Sequence, residues 1–228
     1  MLRFFRDTTQ SLPDEMMAVA GLIHAADGSG TKLAAMAVAH IGPQEVAEAA
    51  VKPIQQFGTA ALNAIGPISY CQLNTMLDGA YPRGALNYWK SSFLEGLGDD
   101  VIERMIDSFS RCPTPMGQLL LEHFHGAVSR VPVGDTAFPH RVEGYNLVVL
   151  SEWMDPATSA DASNGRARPT PRWAVSSVRA EYANYMGDDE AGDQAAAAYG
   201  PNYRRLQDIK RRYDPENVFH LNQNIRPS

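Results

Sequence analysis

YGPNYRRL at residues 199–206 is followed by KRRYDPENVF at 210–219 and NQNI at 222–225. The glycine and proline of the first motif punctuate the chain, and large apolar residues then recur at helical spacing from Tyr203 to Tyr213. Asp214-Pro215 is typical of a helix end. This part of the sequence therefore predicts a short helix that is followed by a partly polar segment.

Upstream of these motifs, strand and helix patterns alternate. The apolar runs Met16–Ile23 and Leu33–Ala39 flank a turn-forming Asp-Gly-Ser-Gly sequence, which predicts a hairpin. Gln118–Val128 and Tyr145–Trp153 are also predicted to be strands. Residues 99–111 carry apolar side chains at helical spacing behind two aspartates, which predicts an amphipathic helix. These patterns indicate a mixed protein with helices on a sheet, but their order leaves parallel and antiparallel pairing open.

Composition and charge narrow the classes of function. Of 228 residues, 20 are Lys or Arg and 26 are Asp or Glu, so the net charge of −6 argues against nucleic acid as a partner. Two cysteines are too few for a disulfide scaffold or a four-thiolate metal site. No apolar run approaches the ~20 residues that span a bilayer, and the first ten residues do not resemble a signal peptide. We expect a cytoplasmic protein that does not enter a membrane.

The sequence lacks GxGxxG, Walker, GxSxG and HExxH motifs, so its candidate chemistry lies in smaller groups. In Glu122-His123-Phe124-His125, a strand would place the two histidines on one side, where such a pair can bind zinc or copper. No further ligand pair is evident nearby. We therefore predict no metal, and a small metal-binding protein stays an alternative.

Two further groups are candidates for binding or catalysis. In an extended segment, Tyr182 and Tyr185 would share a face, and a buried tyrosine with a lowered pKa can remove a proton when a positive or electron-poor group lies close by. The alternative is a pair of core aromatics. The amides of Asn222, Gln223 and Asn224 can bond the edge of a flat heterocycle, although a polar tail is the simpler interpretation.

The motifs from 199 to 225 resemble the berberine-bridge-type C-terminal segment of FAD-linked oxidases. Three other motifs are similar to that family in the same order: NYWKS at 87–91, which is familiar from bacterial members, FPHR at 138–141 and YANY at 182–185. The resemblance extends over nearly the whole chain apart from about 155–180. It implies an α+β fold in which an antiparallel sheet is covered on one face by helices.

In this family a separate domain holds FAD, and the sheet lies over the flavin and forms the substrate cavity. The resemblance implies hydride transfer from an alcohol, sugar or secondary metabolite to flavin N5, usually followed by reoxidation with oxygen. Tyr185 matches a tyrosine that serves as the base in several members. Asn146 lies where some members have a glutamate base, which puts a carboxylate mechanism in doubt. By position, the substrate-binding candidates are Glu122, Phe124, Asn146 and Tyr182, and the flavin-binding candidates are Asn222, Gln223 and Asn224.

The resemblance also implies a domain plan: a substrate-binding domain at 1–154, an irregular insert at 155–180 and the C-terminal segment at 181–228. The family has an amphipathic helix in the region of the insert, whereas here Pro169 and Pro171 forbid a continuous one. One hypothesis is that this stretch is read in a shifted frame.

The family's flavin-linking segment is absent from the sequence. We therefore expect the C-terminal half of a longer enzyme, which binds FAD weakly by itself. Its partner would be an upstream or separately encoded FAD-binding domain, and an uncovered sheet face would favour self-association. The alternative is a non-catalytic remnant or interaction module that pairs with such a domain.

Overall fold

The computed structural model describes residues 1–159, 182–187 and 193–228. Of the predicted insert at 155–180, residues 160–180 lie outside the described part, and so does the hypothesis of a shifted frame there. Within the described part, Asp155 caps a short 3-10 turn, Pro156–Thr158, by accepting a hydrogen bond from the backbone of Ala157.

The centre of the fold is a five-stranded sheet in which every neighbouring pair is antiparallel. The predicted hairpin is present, with Met16 paired to His40 at one end and His24 to Lys32 at the other. The sheet confirms the α+β antiparallel prediction. The spatial order is β2-β1-β4-β5-β3, with β1 at Met16–His24, β2 at Lys32–His40, β3 at Leu86–Leu94, β4 at Gln118–Phe124 and β5 at Gly144–Trp153.

Helices connect and cover these strands. The predicted helix at 99–111 is confirmed as α4, and its Ile102, Met105 and Phe109 are buried, whereas Ile106 is 51% exposed. The predicted C-terminal helix is confirmed as well. The described α-helices are α1 at Leu2–Thr9, α2 at Gln44–Gln55, α3 at Tyr70–Thr75, α4 at Asp99–Ser110, α5 at Ala127–Arg130, α6 at Gln194–Tyr199 and α7 at Tyr203–Tyr213.

Alternation along the strands divides the sheet into two faces. We call the face covered by α1 and α4 the core face. Leu2 and Phe5 of α1 are buried there, and the apolar side chains of the three central strands complete the cluster. The central-strand members of this cluster are Ala18, Ala20, Leu22, Leu119, Leu121, Tyr145, Leu147 and Val149.

Two details of the sheet differ from the predictions. The predicted strand from Gln118 ends at Phe124 rather than Val128, because Gly126 takes a positive φ of 67° and begins a short helix. Strand β3 was not predicted from its mixed polar and aromatic sequence. Where β3 ends, a Cβ on Gly144 would lie 2.3 Å from the carbonyl oxygen of Leu94, so only glycine allows the two strands to meet there.

Among the described residues, every helix is too short or too polar to cross a membrane.

Candidate active site

The face of the sheet opposite the core face, called here the site face, carries polar side chains at its centre. Glu122 of β4 and Asn146 of β5 are register partners, and Asn146 is also paired with Phe93 of β3. Asn146 is fully buried, and its Nδ2 donates a 2.7 Å hydrogen bond to Oε2 of Glu122. Asn146 occupies the position at which the resemblance implies a glutamate base in some members. The register of β4 and β5 places the carboxylate of Glu122 directly beside it.

Tyr185 completes this group from a distant part of the chain. Its hydroxyl donates a 2.8 Å hydrogen bond to Oε1 of Glu122, so both carboxylate oxygens accept a side-chain donor. The segment that holds it is a 3-10 turn, Ala183–Tyr185, rather than the predicted extended segment. In an extended segment residues three apart would point to opposite sides, so that geometry was wrong. The two tyrosines lie together, with ring centroids 5.5 Å apart, because residues three apart eclipse in a 3-10 turn.

The electrostatic surroundings of Tyr185 differ from the expectation of a lowered pKa. Burial raises the pKa of its hydroxyl, and the negative charge of Glu122 raises it further. Tyr185 is therefore a neutral hydrogen-bond donor in this chain. It can accept a substrate proton only if its own proton moves to Glu122.

Aromatic side chains surround the polar group. Tyr185 lies between Tyr182 and Trp89 of β3, whose ring centroid is 6.0 Å away. The backbone N–H of Tyr182 donates to Oγ of Ser91, which attaches the turn to β3. The predicted residues Tyr182 and Phe124 both belong to this wall and are half-buried. Its other members, in contact order from Tyr182, are Phe138, His140 and Phe93.

Of the three predicted cofactor-binding amides, that of Gln223 contacts the chain directly after the 3-10 turn. Nε2 of Gln223 donates to the carbonyl oxygen of Met186, which follows Tyr185 in the chain. Asn222 is exposed and adopts a positive φ of 58°, and its carbonyl oxygen accepts from the backbone of Asn224. Oδ1 of Asn224 is buried without a hydrogen-bond partner in the described part of the chain.

The structure also shows residues that sequence reasoning missed. Trp89 and Ser91 were noted only as part of a familiar motif and Phe93 was not noted at all, yet all three lie on the site-face side of β3. Their alternation with Tyr88, Lys90 and Ser92 was the available signal, but both sets contain polar and aromatic residues, so the period-2 pattern was hidden.

The histidine pair belongs to the opposite face. His123 and His125 share a side as predicted, and their rings stack with centroids 4.5 Å apart beside Tyr145. Burial, together with His125, lowers the pKa of His123 to about 4. Among the residues that the structure describes, no cluster of three or more His, Cys, Asp or Glu side chains is arranged to hold a metal.

Comparison with known proteins agrees with this architecture. Residues 181–226 match the family model described as "Berberine and berberine like". The chain is 28% identical over 193 residues to an FAD-linked oxidoreductase of Dictyostelium discoideum, covering 82% of this chain and 41% of that one. It is 27% identical over 209 residues to (R)-6-hydroxynicotine oxidase of Paenarthrobacter nicotinovorans, covering 83% and 43%.

Solved structures show the same fold. The chain superposes on 6-hydroxy-D-nicotine oxidase from Arthrobacter nicotinovorans with a TM-score of 0.76 and 21% identity, covering 97% of this chain and 50% of that one. For BBE-like 28 from Arabidopsis thaliana the TM-score is 0.73 at 18% identity, with 100% and 54% covered.

The fold is therefore that of the substrate-binding region of FAD-linked oxidases, and the homologous chains are FAD-linked oxidoreductases. More narrowly, residues 181–226 carry a berberine-bridge-type segment. The chain spans less than half the length of these two curated relatives and about half that of the solved structures.

Proposed function

We propose that this chain is the substrate-binding part of an FAD-dependent oxidoreductase that oxidises an alcohol, sugar or related secondary metabolite. The observation that carries the proposal is the hydrogen-bonded group Tyr185–Glu122–Asn146 on the site face of a sheet whose fold is that of FAD-linked oxidases. Sequence similarity to FAD-linked oxidoreductases over about four-fifths of the chain supports it independently.

In this proposal the substrate proton leaves through a relay of two coupled proton transfers. The substrate hydroxyl gives its proton to Oη of Tyr185 while the tyrosine's own proton moves 2.8 Å to Oε1 of Glu122. Asn146 is the positioning residue, because its Nδ2 holds the other carboxylate oxygen. The raised pKa of Tyr185 favours this relay over a free phenolate, since the neutral phenol needs an adjacent acceptor.

The residues present fit the FAD that the homologues imply. Bound FAD supplies the hydride acceptor. Oδ1 of Asn224 is a buried acceptor without a partner among the described residues, which suits an imide N–H of the flavin ring. The side chains of Asn222 and Asn224 would hold the polar edge of that ring. Gln223 serves instead to hold the tail against Met186, so we propose for it a supporting role.

We further propose that an FAD-binding domain, on the same or a separate polypeptide, completes the enzyme. The relatives carry about as much chain again as the part that matches. Exposed apolar side chains near residue 220 also support a surface that contacts a partner. Phe219 is 81% exposed, and Val218 and Leu221 are exposed as well. Without that domain the same surface would favour self-association, which light scattering at increasing protein concentration measures.

The test of the cofactor is to titrate FAD into this chain with and without an FAD-binding domain and to record the flavin absorption spectrum. We expect the chain to change the flavin spectrum beyond that of the FAD-binding domain alone, and to change the spectrum of free FAD only weakly. A chain that perturbs no flavin spectrum in either mixture is instead a non-catalytic remnant or interaction module, and the proposed function fails.

The test of the relay is turnover by the reconstituted enzyme. Tyr185→Phe and Glu122→Gln should each lower kcat about 10²- to 10⁴-fold, which is the contribution typical of a positioned proton acceptor. Tyr182→Phe is the matched control, because its hydroxyl accepts a hydrogen bond from the exposed Asn184, and it should change kcat less than about tenfold. Full activity in Glu122→Gln would exclude the carboxylate as the final proton acceptor.

A further inference from the structure

Glu152 is a second carboxylate on the site face, and the relay does not use it. It lies on the same face of β5 as Asn146, six residues further along, which is about 20 Å at ~3.3 Å per residue. Its side chain is 1% exposed. Neither carboxylate oxygen has a hydrogen-bond partner among the residues that the structure describes.

Burying a carboxylate without a hydrogen-bond partner costs free energy. Burial disfavours the charged form, and it is the cause that raises the pKa of Glu152. A leucine of similar volume would avoid this cost, because it needs neither hydration nor a hydrogen-bond donor. A buried ionisable group without a structural partner is therefore a candidate for ligand binding.

The surroundings of Glu152 define the chemistry of that ligand. Trp89 of β3 lies opposite Leu150 of β5, and its ring packs 5.5 Å from the ring of Tyr81. The pKa of Tyr81 is raised by burial and then by Glu152, lowered by a hydrogen bond with Gln118 and raised again by Glu122. Glu152 itself lies opposite Asn87 of β3, and Trp89 follows two residues on along the same face, so the Trp89–Tyr81 pair lies next to the carboxylate. Negative charge beside aromatic rings is the arrangement that recognises ammonium groups.

We propose that Glu152, Tyr81 and Trp89 form a subsite for a protonated amine of the substrate. This subsite rests on the proposed function in one respect: its ligand is taken to be the substrate. The reacting hydroxyl of that substrate would lie at Tyr185 and Glu122. The separation of the two carboxylates along the sheet then requires an elongated amino alcohol. Tyr81 is flanked by exposed residues and is itself only half-buried, so in this proposal a small movement of its ring gives the amine access to Glu152 while Tyr81 and Trp89 stay beside it.

Calorimetric titration of the chain with benzylamine and with the neutral benzyl alcohol tests the subsite without any turnover. We expect benzylamine to bind at least about tenfold more tightly than benzyl alcohol, and Glu152→Gln to remove that preference. The control Glu95→Gln makes the same charge change at an exposed residue and should retain the preference. A wild-type chain that shows no preference for the amine, or a preference that survives Glu152→Gln, overturns the proposal.

Thermal unfolding separates ligand binding from a structural role. If Glu152 serves a ligand, Glu152→Leu should leave the melting temperature unchanged or raise it, because it removes an unpaired buried carboxyl group. A lower melting temperature would show that the fold itself needs the carboxyl group, and the proposal would fail. Both measurements are independent of flavin binding, so a failed relay or a failed FAD titration does not decide them.

Discussion

Both faces of strand β5 are buried and both bury apolar side chains, but only the site face also buries an amide and a carboxylate. On the core face, Leu147 and Val149 pack beneath α1 and α4 with other apolar side chains. On the site face, Asn146 and Glu152 are buried as completely and are polar. Burial of the apolar side chains stabilises the fold, whereas burial of the polar ones costs free energy unless each finds a partner.

This difference indicates that the two faces of the sheet have different roles. The core face supplies stability through close packing, and it tolerates few polar atoms. The site face keeps polar atoms in buried or partly buried positions, where the bonds from Tyr185 and Asn146 to Glu122 are stronger than they would be in bulk water. Strand β5 therefore contributes to the core and to the proposed site through alternate residues.

The largest expected effect is on the core face. Phe5 of α1 is completely buried, with its ring centroid 5.8 Å from that of Tyr145. Phe5→Ala should lower the free energy of unfolding by about 3–5 kcal/mol, as measured by urea denaturation, because it removes a buried ring and leaves a cavity. Phe57→Ala is the control, since Phe57 is exposed and only stacks on Phe4, and it should cost at most about 1.5 kcal/mol. Equal costs would contradict the conclusion that burial beneath α1 makes Phe5 part of the core.

A smaller effect is expected from Asn146→Asp on the site face. The change removes the donor to Oε2 of Glu122 and sets two carboxylates at hydrogen-bond distance, so at pH 7 it should cost about 1.5–3 kcal/mol of stability. The loss should shrink at acid pH, where protonation of one carboxyl restores a donor. Asn63→Asp in an exposed loop is the control and should be nearly neutral. A neutral Asn146→Asp would contradict the described hydrogen bond.

The smallest effect concerns His123 on the core face, and it appears only in acid. The pKa of His123 is lowered from 6.5 to about 4, so between these values the unfolded chain binds more protons than the folded one. Stability is therefore lost as the pH falls through this window. The full shift would correspond to about 3 kcal/mol, and because the ring is only half-buried we expect about 1–2 kcal/mol.

Replacing the titrating ring tests this expectation. His123→Gln should remove most of the acid-dependent loss seen in urea denaturation between pH 6.5 and 4, whereas His220→Gln at an exposed position should not change it. If both variants lose stability in acid as the wild type does, the core face accommodates the imidazolium charge and the contrast between the faces is weaker than proposed.

Much of the fold could be predicted from local patterns. The hairpin of β1 and β2 followed from two apolar runs around a turn, and α4 followed from its apolar stripe and acidic first turn. Strand β3 escaped prediction because Trp89 and Phe93 face the site while Tyr88 and Ser92 face the other side, and the two sets are alike in polarity.

The candidate site could be predicted only in part. The resemblance singled out Tyr185, Glu122 and Asn146 one by one, yet their mutual contacts were not evident. The tyrosine pair was expected in an extended segment but lies in a 3-10 turn, since Tyr185 N–H bonds the carbonyl of Tyr182. Glu122 was expected only as a substrate-binding residue, so its hydrogen bond with Tyr185 was not anticipated, and the orphaned Glu152 was not found by sequence reasoning at all.

The amino-acid sequence by itself determined most of the element types, apart from β3 and the turn at Tyr185, together with the berberine-bridge-type segment, because these depend on periodicities and motifs among neighbouring residues. Only the tertiary structure decided that the carboxylate of Glu122 lies beside Asn146 and accepts a hydrogen bond from the hydroxyl of Tyr185. Those contacts join residues 24 and 63 positions apart. They depend on strand register and on the path of the chain over the sheet, which local pattern does not contain.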